Sequence, residues 1–135
     1  MVAFSYCIRR SFSVSVQKQT QGLKVLFFGT SEFSVPTLEV LYEESVKENG
    51  SISHIEACCP LMKKLIPPVR RKCEELSVQI HSYPLKPEDC QRFDLGVVSS
   101  FGHLLPSKII ESFPMYVNIS VLIFAHFYNF LIGEC

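Results

Sequence analysis

The sequence has no Cys-x-x-Cys pair, and no histidine stands at zinc-ligand spacing from its six cysteines (7, 58, 59, 73, 90 and 135), so a metal site is not expected. It has no net charge: 13 Lys/Arg balance 13 Asp/Glu, which argues against a nucleic-acid binder that uses its whole surface. The three-glycine G-x-G-x-x-G fingerprint is missing too, so no dinucleotide pyrophosphate site is implied. Acids are absent from the first 31 residues, the first carboxylate being Glu32. What is present is apolar: 47% hydrophobic residues against 19% charged, in 135 residues, is ample for one packed domain and leaves room for little more. The adjacent Cys58 and Cys59 lie inside an apolar stretch, which suits buried free thiols in a reducing compartment.

The acid-free start carries Arg9, Arg10 and Lys18 among many serines, the composition of a mitochondrial presequence, and Arg10-Ser11-Phe12-Ser13 matches the Arg-x-Phe-Ser pattern at which such leaders are cut. The apolar centre from Met1 to Ile8 is too short for a secretory signal. Residues 1–22 are therefore set outside the expected fold, the other reading being a disordered basic tail. Beyond them the chain is slightly acidic, with ten Lys/Arg against 13 Asp/Glu.

The fold is organised around Lys24 to Pro36, K-V-L-F-F-G-T-S-E-F-S-V-P. The run Val25 to Phe28 is too apolar for a half-exposed strand and too short for a helix, which predicts a strand buried on both faces of a parallel sheet. Gly29 ends it with a tight turn, and Pro36 suits the first turn of the helix predicted from Val35 to Lys47. Asn49-Gly50 offers that helix a left-handed cap. Ile52 to Leu61 reads as the next strand, completing a β-α-β unit. A helix follows from Pro68 with Val69, Cys73 and Leu76 as its apolar stripe, then a third strand at Val78 to His81 and a loop or single turn at Pro84 to Cys90. A fourth buried strand spans Phe93 to Phe101, and a short helix runs from Pro106 to Glu111. The expected class is α/β, a doubly wound, mostly parallel sheet, with ligands at the carboxyl ends of the strands.

Two stretches carry a resemblance. K-V-L-F-F-G-T-S-E-F-S-V-P-T-L-E-V-L, from Lys24, closely resembles the amino-terminal strand and helix of the methionyl-tRNA formyltransferases. V-V-S-S-F-G-H-L-L-P, residues 97–106, resembles the strand and loop V-V-x-x-[Phe/Tyr]-G-x-Leu-Leu/Ile-Pro that forms one wall of that family's folate cleft. They stand in the right order, about 65 residues apart, and the resemblance extends over roughly Leu23 to Asn118. It implies a Rossmann-like amino-terminal domain, here incomplete, and transfer of a formyl group from 10-formyltetrahydrofolate to the amino group of initiator methionyl-tRNA in mitochondrial translation initiation. Phe101, Gly102, Leu104 and Leu105 would then face the folate. K-K-L-I-P-P-V resembles the lysine-rich loop that reaches the tRNA acceptor end, which makes Lys63, Lys64, Arg70 and Arg71 the expected RNA contacts, although a solvated charged face is an equal reading of those residues.

Acyl transfer needs donors aimed at the developing oxyanion and a group that moves protons between two nitrogens. The family meets this with Asn-x-His, then Ser-Leu-Leu-Pro and a later Asp. Asn118 fits the Asn, but Ser120 stands where the His should be, and His103 and His126 have the wrong spacing. After Ser120 the resemblance stops. The expected organisation is thus a leader over 1–22, a partial formyltransferase domain over 23–120, and a divergent apolar tail over 121–135, the ending of a truncated isoform. The 135-residue chain is expected to be inactive for lack of the His and the Asp, a monomer, and resident in the mitochondrial matrix. Ser112 to Gly133 has no formal charge, but Pro114, Asn118, Ser120, His126 and Asn129 interrupt it, so a membrane span is not expected. Two other readings stay open: a non-catalytic folate- or RNA-binding fragment, and another folate-dependent formyltransferase or hydrolase.

Overall fold

Successive side chains of a strand point to opposite faces, and Val25, Leu26, Phe27 and Phe28 are all wholly buried, so the strand that carries them is covered on both sides. The computed structural model describes residues 22–119 and the backbone of Phe4–Ile8. The central strand is β2 (Leu23–Gly29), after an amino-terminal strand β1 (Phe4–Ile8). Strands β3 (Ile52–Pro60), β4 (Gln79–Tyr83), β5 (Leu95–Ser99) and β6 (Met115–Ile119) follow, in the spatial order β1-β6-β5-β2-β3-β4. The five strands from β6 to β4 are parallel, and β1 adds an antiparallel edge, Phe4 opposite Ile119 through Ile8 opposite Met115. The stretch set outside the fold on composition thus contributes an edge strand. Residues 1–3 and 9–21 of the expected leader, Ser120, and the expected tail over 121–135 with His126 lie outside the described residues.

Helices α1 (Val35–Val46) and α2 (Pro68–Leu76) cover one face, where Leu38, Val69 and Cys73 pack on Val25, Phe27, Cys59 and Val97. On the other face α3 (Pro87–Cys90) and α4 (Ser107–Glu111) bring Cys90 and Ile109, with Phe93, Phe101 and Phe113, onto Leu26, Phe28, Cys58 and Val98. This is the doubly wound, Rossmann-like α/β arrangement. Four of the cysteines, Cys58, Cys59, Cys73 and Cys90, are free and buried. Burial, with the neighbouring thiols next, pushes the Cys58 and Cys73 thiols up to about 12, so both remain protonated and unreactive at neutral pH.

The α1 cap differs from expectation. The helix stops at Val46, Lys47 is already extended (φ −68°, ψ 140°), and neither Asn49 nor Gly50 is left-handed. Gly50 serves a different need: a Cβ there would lie 2.0 Å from the Glu44 carbonyl oxygen. The left-handed cap belongs to α2, at Ser77 (φ 57°), where Val78 N–H donates to the Cys73 carbonyl at 2.9 Å.

At the outer side of the sheet, Glu56 of β3 is buried with its side chain only 3% exposed, and three cationic or potentially cationic side chains converge on it. His54 Nε2 lies 2.9 Å from Oε1 and His81 Nε2 lies 2.6 Å from Oε2. Arg92 donates to both oxygens, Nη1 to Oε1 at 3.0 Å and Nη2 to Oε2. The guanidinium also lies over the Phe93 ring, 4.4 Å from its centre. One carboxylate thereby ties β3, β4 and the segment before β5 together.

Candidate functional site

From β2 the chain steps outward to β3 and β4, then returns across β2 to β5 and steps outward again to β6. The order therefore reverses between β2 and β5, and open α/β sheets bind ligands in the crevice at that point, outside the carboxyl ends of the strands. Side-chain hydrogen bonds span it: Thr30 Oγ1 donates to the Phe101 carbonyl at 2.7 Å, and Ser34 Oγ donates to the Ser99 carbonyl, with a longer contact to the Ser100 carbonyl at 3.4 Å. Ser34 sits there because Gly29 has no side chain, since a Cβ on Gly29 would lie 2.9 Å from Ser34 Cβ.

Each residue expected at the site has a definite place. Phe101 is buried, edge-on to Phe28 with ring centres 5.5 Å apart and edge-on to Tyr83 at 5.1 Å. Gly102 is left-handed (φ +78°), and a Cβ there would meet nothing within 4 Å. It is therefore needed for its conformation and not for close packing, and it opens the loop to solvent. Leu104 is 96% exposed and Leu105 packs part-buried against the Phe28 cluster. Asn118 is exposed near the end of β6, in register with Val98, and Val98 is in register with Phe28. Registered neighbours share a face, so Asn118 lies on the face that Phe101 covers. The fold thus brings the 101–105 loop and Asn118 to one edge and one face.

The basic residues separate. Lys63 and Lys64 are exposed on the loop after β3, among the exposed apolar residues Leu61, Met62, Leu65 and Ile66. Arg71 is exposed on α2, whereas Arg70 is part-buried, its Nη1 buried without a hydrogen-bond partner and its Nε 3.9 Å from Glu74. Lys72, which completes the basic run, is held by Glu75 at 2.8 Å and Glu39 of α1 at 3.2 Å. Glu75 follows Lys72 on the same helix, whereas Glu39 reaches it from α1. Sequence reasoning also passed over Tyr83, which ends β4 and stacks on His103 with centres 5.1 Å apart and planes 27° from parallel. The signal available was an aromatic residue just before Pro84, where a strand must end.

Among the described residues, no group of three or more His, Cys, Asp or Glu is placed to hold a metal ion, and no helix is long and apolar enough to cross a membrane.

No family model matches the chain. It is similar to methionyl-tRNA formyltransferases from several bacteria. One from Bacillus cereus (strain B4264) is 32% identical over 108 residues, covering 73% of this chain and 34% of that protein. One from Synechococcus sp. (strain WH7803) is 31% identical over 106 residues, covering 69% and 30%. One from Rhizorhabdus wittichii is 30% identical over 98 residues, covering 67% and 32%. By these similarities the chain is related to the methionyl-tRNA formyltransferases over about seven-tenths of its length, and it spans about a third of theirs.

Proposed function

We propose that this chain is the folate-facing part of a mitochondrial methionyl-tRNA formyltransferase, working in the matrix on 10-formyltetrahydrofolate and initiator methionyl-tRNA. The observation that carries the reading is the meeting of the Phe101–Leu105 loop and Asn118 on one face, beside the crevice where strand order reverses. In this reading the folate ring lies over Gly102, with Leu104 and Leu105 beside it. The Asn118 amide donates to the oxyanion that forms when the methionyl amine attacks the formyl carbon. One such donor typically accounts for about 3–4 kcal/mol of transition-state stabilisation. Lys63, Lys64 and Arg71 contact phosphates, with Arg70 held closer to the protein.

A proton must also leave the attacking amine and reach the departing nitrogen of the folate. The Ser120 hydroxyl does not titrate near neutral pH as an imidazole does. We therefore expect the 135-residue chain to form no formylmethionyl-tRNA above background when radiolabelled donor and methionyl-tRNA are supplied. Turnover by the purified chain would show that proton transfer does not need the missing histidine. Folate binding without turnover would favour the non-catalytic binding fragment as the role of this chain.

The RNA contacts are tested separately. Each phosphate neutralised by a lysine adds about 0.7–0.9 to the slope of log affinity against log salt. Replacing Lys63 and Lys64 together with Ala is expected to weaken tRNA binding and lower that slope by about 1.4–1.8 in a salt titration. An unchanged slope would remove these lysines from the interface.

A further inference from the structure

The Tyr83–His103 ring pair has no place in the scheme above. His103 follows the left-handed Gly102 and is exposed, yet its ring is held twice: stacked on Tyr83, and edge-on to the buried Phe101 with centres 5.5 Å apart. Tyr83 is itself edge-on to Phe101. The Phe101 ring is in turn wedged against Phe28 in the core. A chain of four rings thus runs from the sheet to the surface and ends in an exposed imidazole packed against two aromatic rings. Immediately before it lies the open space over Gly102. An exposed ring that is already immobilised has paid its ordering entropy before a ligand arrives, which is the condition under which stacking adds most to affinity.

We infer that His103, braced by Tyr83, is the stacking platform for the planar ring of a pterin, and so sets the affinity of this crevice for its donor. The inference rests on the folate reading and deepens it by assigning the ring contact to two side chains. The pterin would occupy the open space over Gly102, which His103 follows in the chain and near which Leu104 is exposed. Tyr83 serves as a positioning residue, since it acts through His103.

The test uses the full chain and two probes: folinic acid, a stable formylated folate, by titration calorimetry, and pterin-6-carboxylate by its own fluorescence anisotropy. The chain has no tryptophan to interfere with the second signal. Wild-type chain is expected to bind both. His103→Ala is expected to weaken both about tenfold or more, within the range of stacking losses on removing an aromatic platform. His103→Phe, which keeps a flat ring, is expected to stay within about threefold of wild type. Tyr83→Ala should weaken binding less than His103→Ala, and should lose its effect when combined with it. Because His103 is exposed, its variants are expected to melt like wild type, whereas Tyr83 packs part-buried against the Phe101 cluster, so Tyr83→Ala is compared only at a temperature where circular dichroism shows it folded. If wild type binds and His103→Ala binds as well, the platform is wrong while the folate reading stands. If folded wild type binds neither probe, both fall.

Discussion

Glu56→Gln is expected to remove about 2–3 kcal/mol of stability at neutral pH and to flatten the acid limb of the stability curve. Burial alone would raise the Glu56 carboxyl, but hydrogen bonds from Arg92, His54 and His81 outweigh it and hold the group down at about 2, against an ordinary 4.5. The sign follows from that depression. The unfolded chain takes up this proton near pH 4.5 and the folded chain only near 2, so the stabilisation is whole above 4.5 and is lost as pH falls from there to about 2. At about 1.36 kcal/mol per unit, the full difference is about 3 kcal/mol. The loss is put somewhat lower because Arg92 and His54 are half exposed and water can take them back once the carboxylate is gone. Urea unfolding between pH 7 and pH 3 reads the effect: wild type should weaken as the pH drops through 4.5, and the variant should show little of that dependence. A variant as stable as wild type at pH 7, with the same acid limb, would mean that the four side chains meet without net gain.

Phe28→Ala is expected to cost more, about 3–5 kcal/mol, the usual range for a truncated core phenylalanine. Phe28 is wholly buried and edge-on to both Phe101 and Phe113, the second at 6.0 Å with perpendicular planes. Edge-to-face geometry adds about 0.5–1.5 kcal/mol per pair beyond burial. Small domains have only about 5–15 kcal/mol in total, so the variant should be largely unfolded at 37 °C or close to it. Phe33, 60% exposed on the turn after β2, is the control, and its replacement by Ala should stay within about 0.5 kcal/mol. Chemical denaturation followed by circular dichroism distinguishes the two. Because Phe101 leans on Phe28, limited proteolysis of the truncated variant should begin in the 100–106 loop.

Much of this was readable in the residues. The Val25–Phe28 run, Pro36, the Pro67-Pro68 break and the stripe of Val69 and Cys73 each carry a local signal, and each led to the observed element. The edge strand β1 was hidden because its sequence, F-S-Y-C-I, was weighed with the basic, serine-rich residues after it, and backbone pairing with β6 is non-local. The cap at Ser77 was hidden because a serine rarely takes a positive φ, while Asn49-Gly50 advertised a conformation it does not adopt. At the site, the glycine and the strand end showed in the pattern, but the ring stack did not. Tyr83 and His103 stand 20 residues apart with no periodicity linking them, and only the return of the chain across β2 brings them together. The Glu56 cluster was largely illegible for the same reason: His54 is a neighbour on β3, but His81 comes from β4 and Arg92 from the segment before β5.

The Thr30–Phe101 hydrogen bond joins residues 71 positions apart. Translation proceeds at about 5–20 residues per second, so roughly 4–14 seconds pass between the emergence of its two ends from a ribosome. Until β5 emerges, β3 is the one parallel neighbour β2 can acquire, and Leu26 and Phe28 still lack Phe101 and Phe113. The crevice therefore closes only after β3 and β4 have been made, and β6, with β1 paired on it, completes the sheet later still.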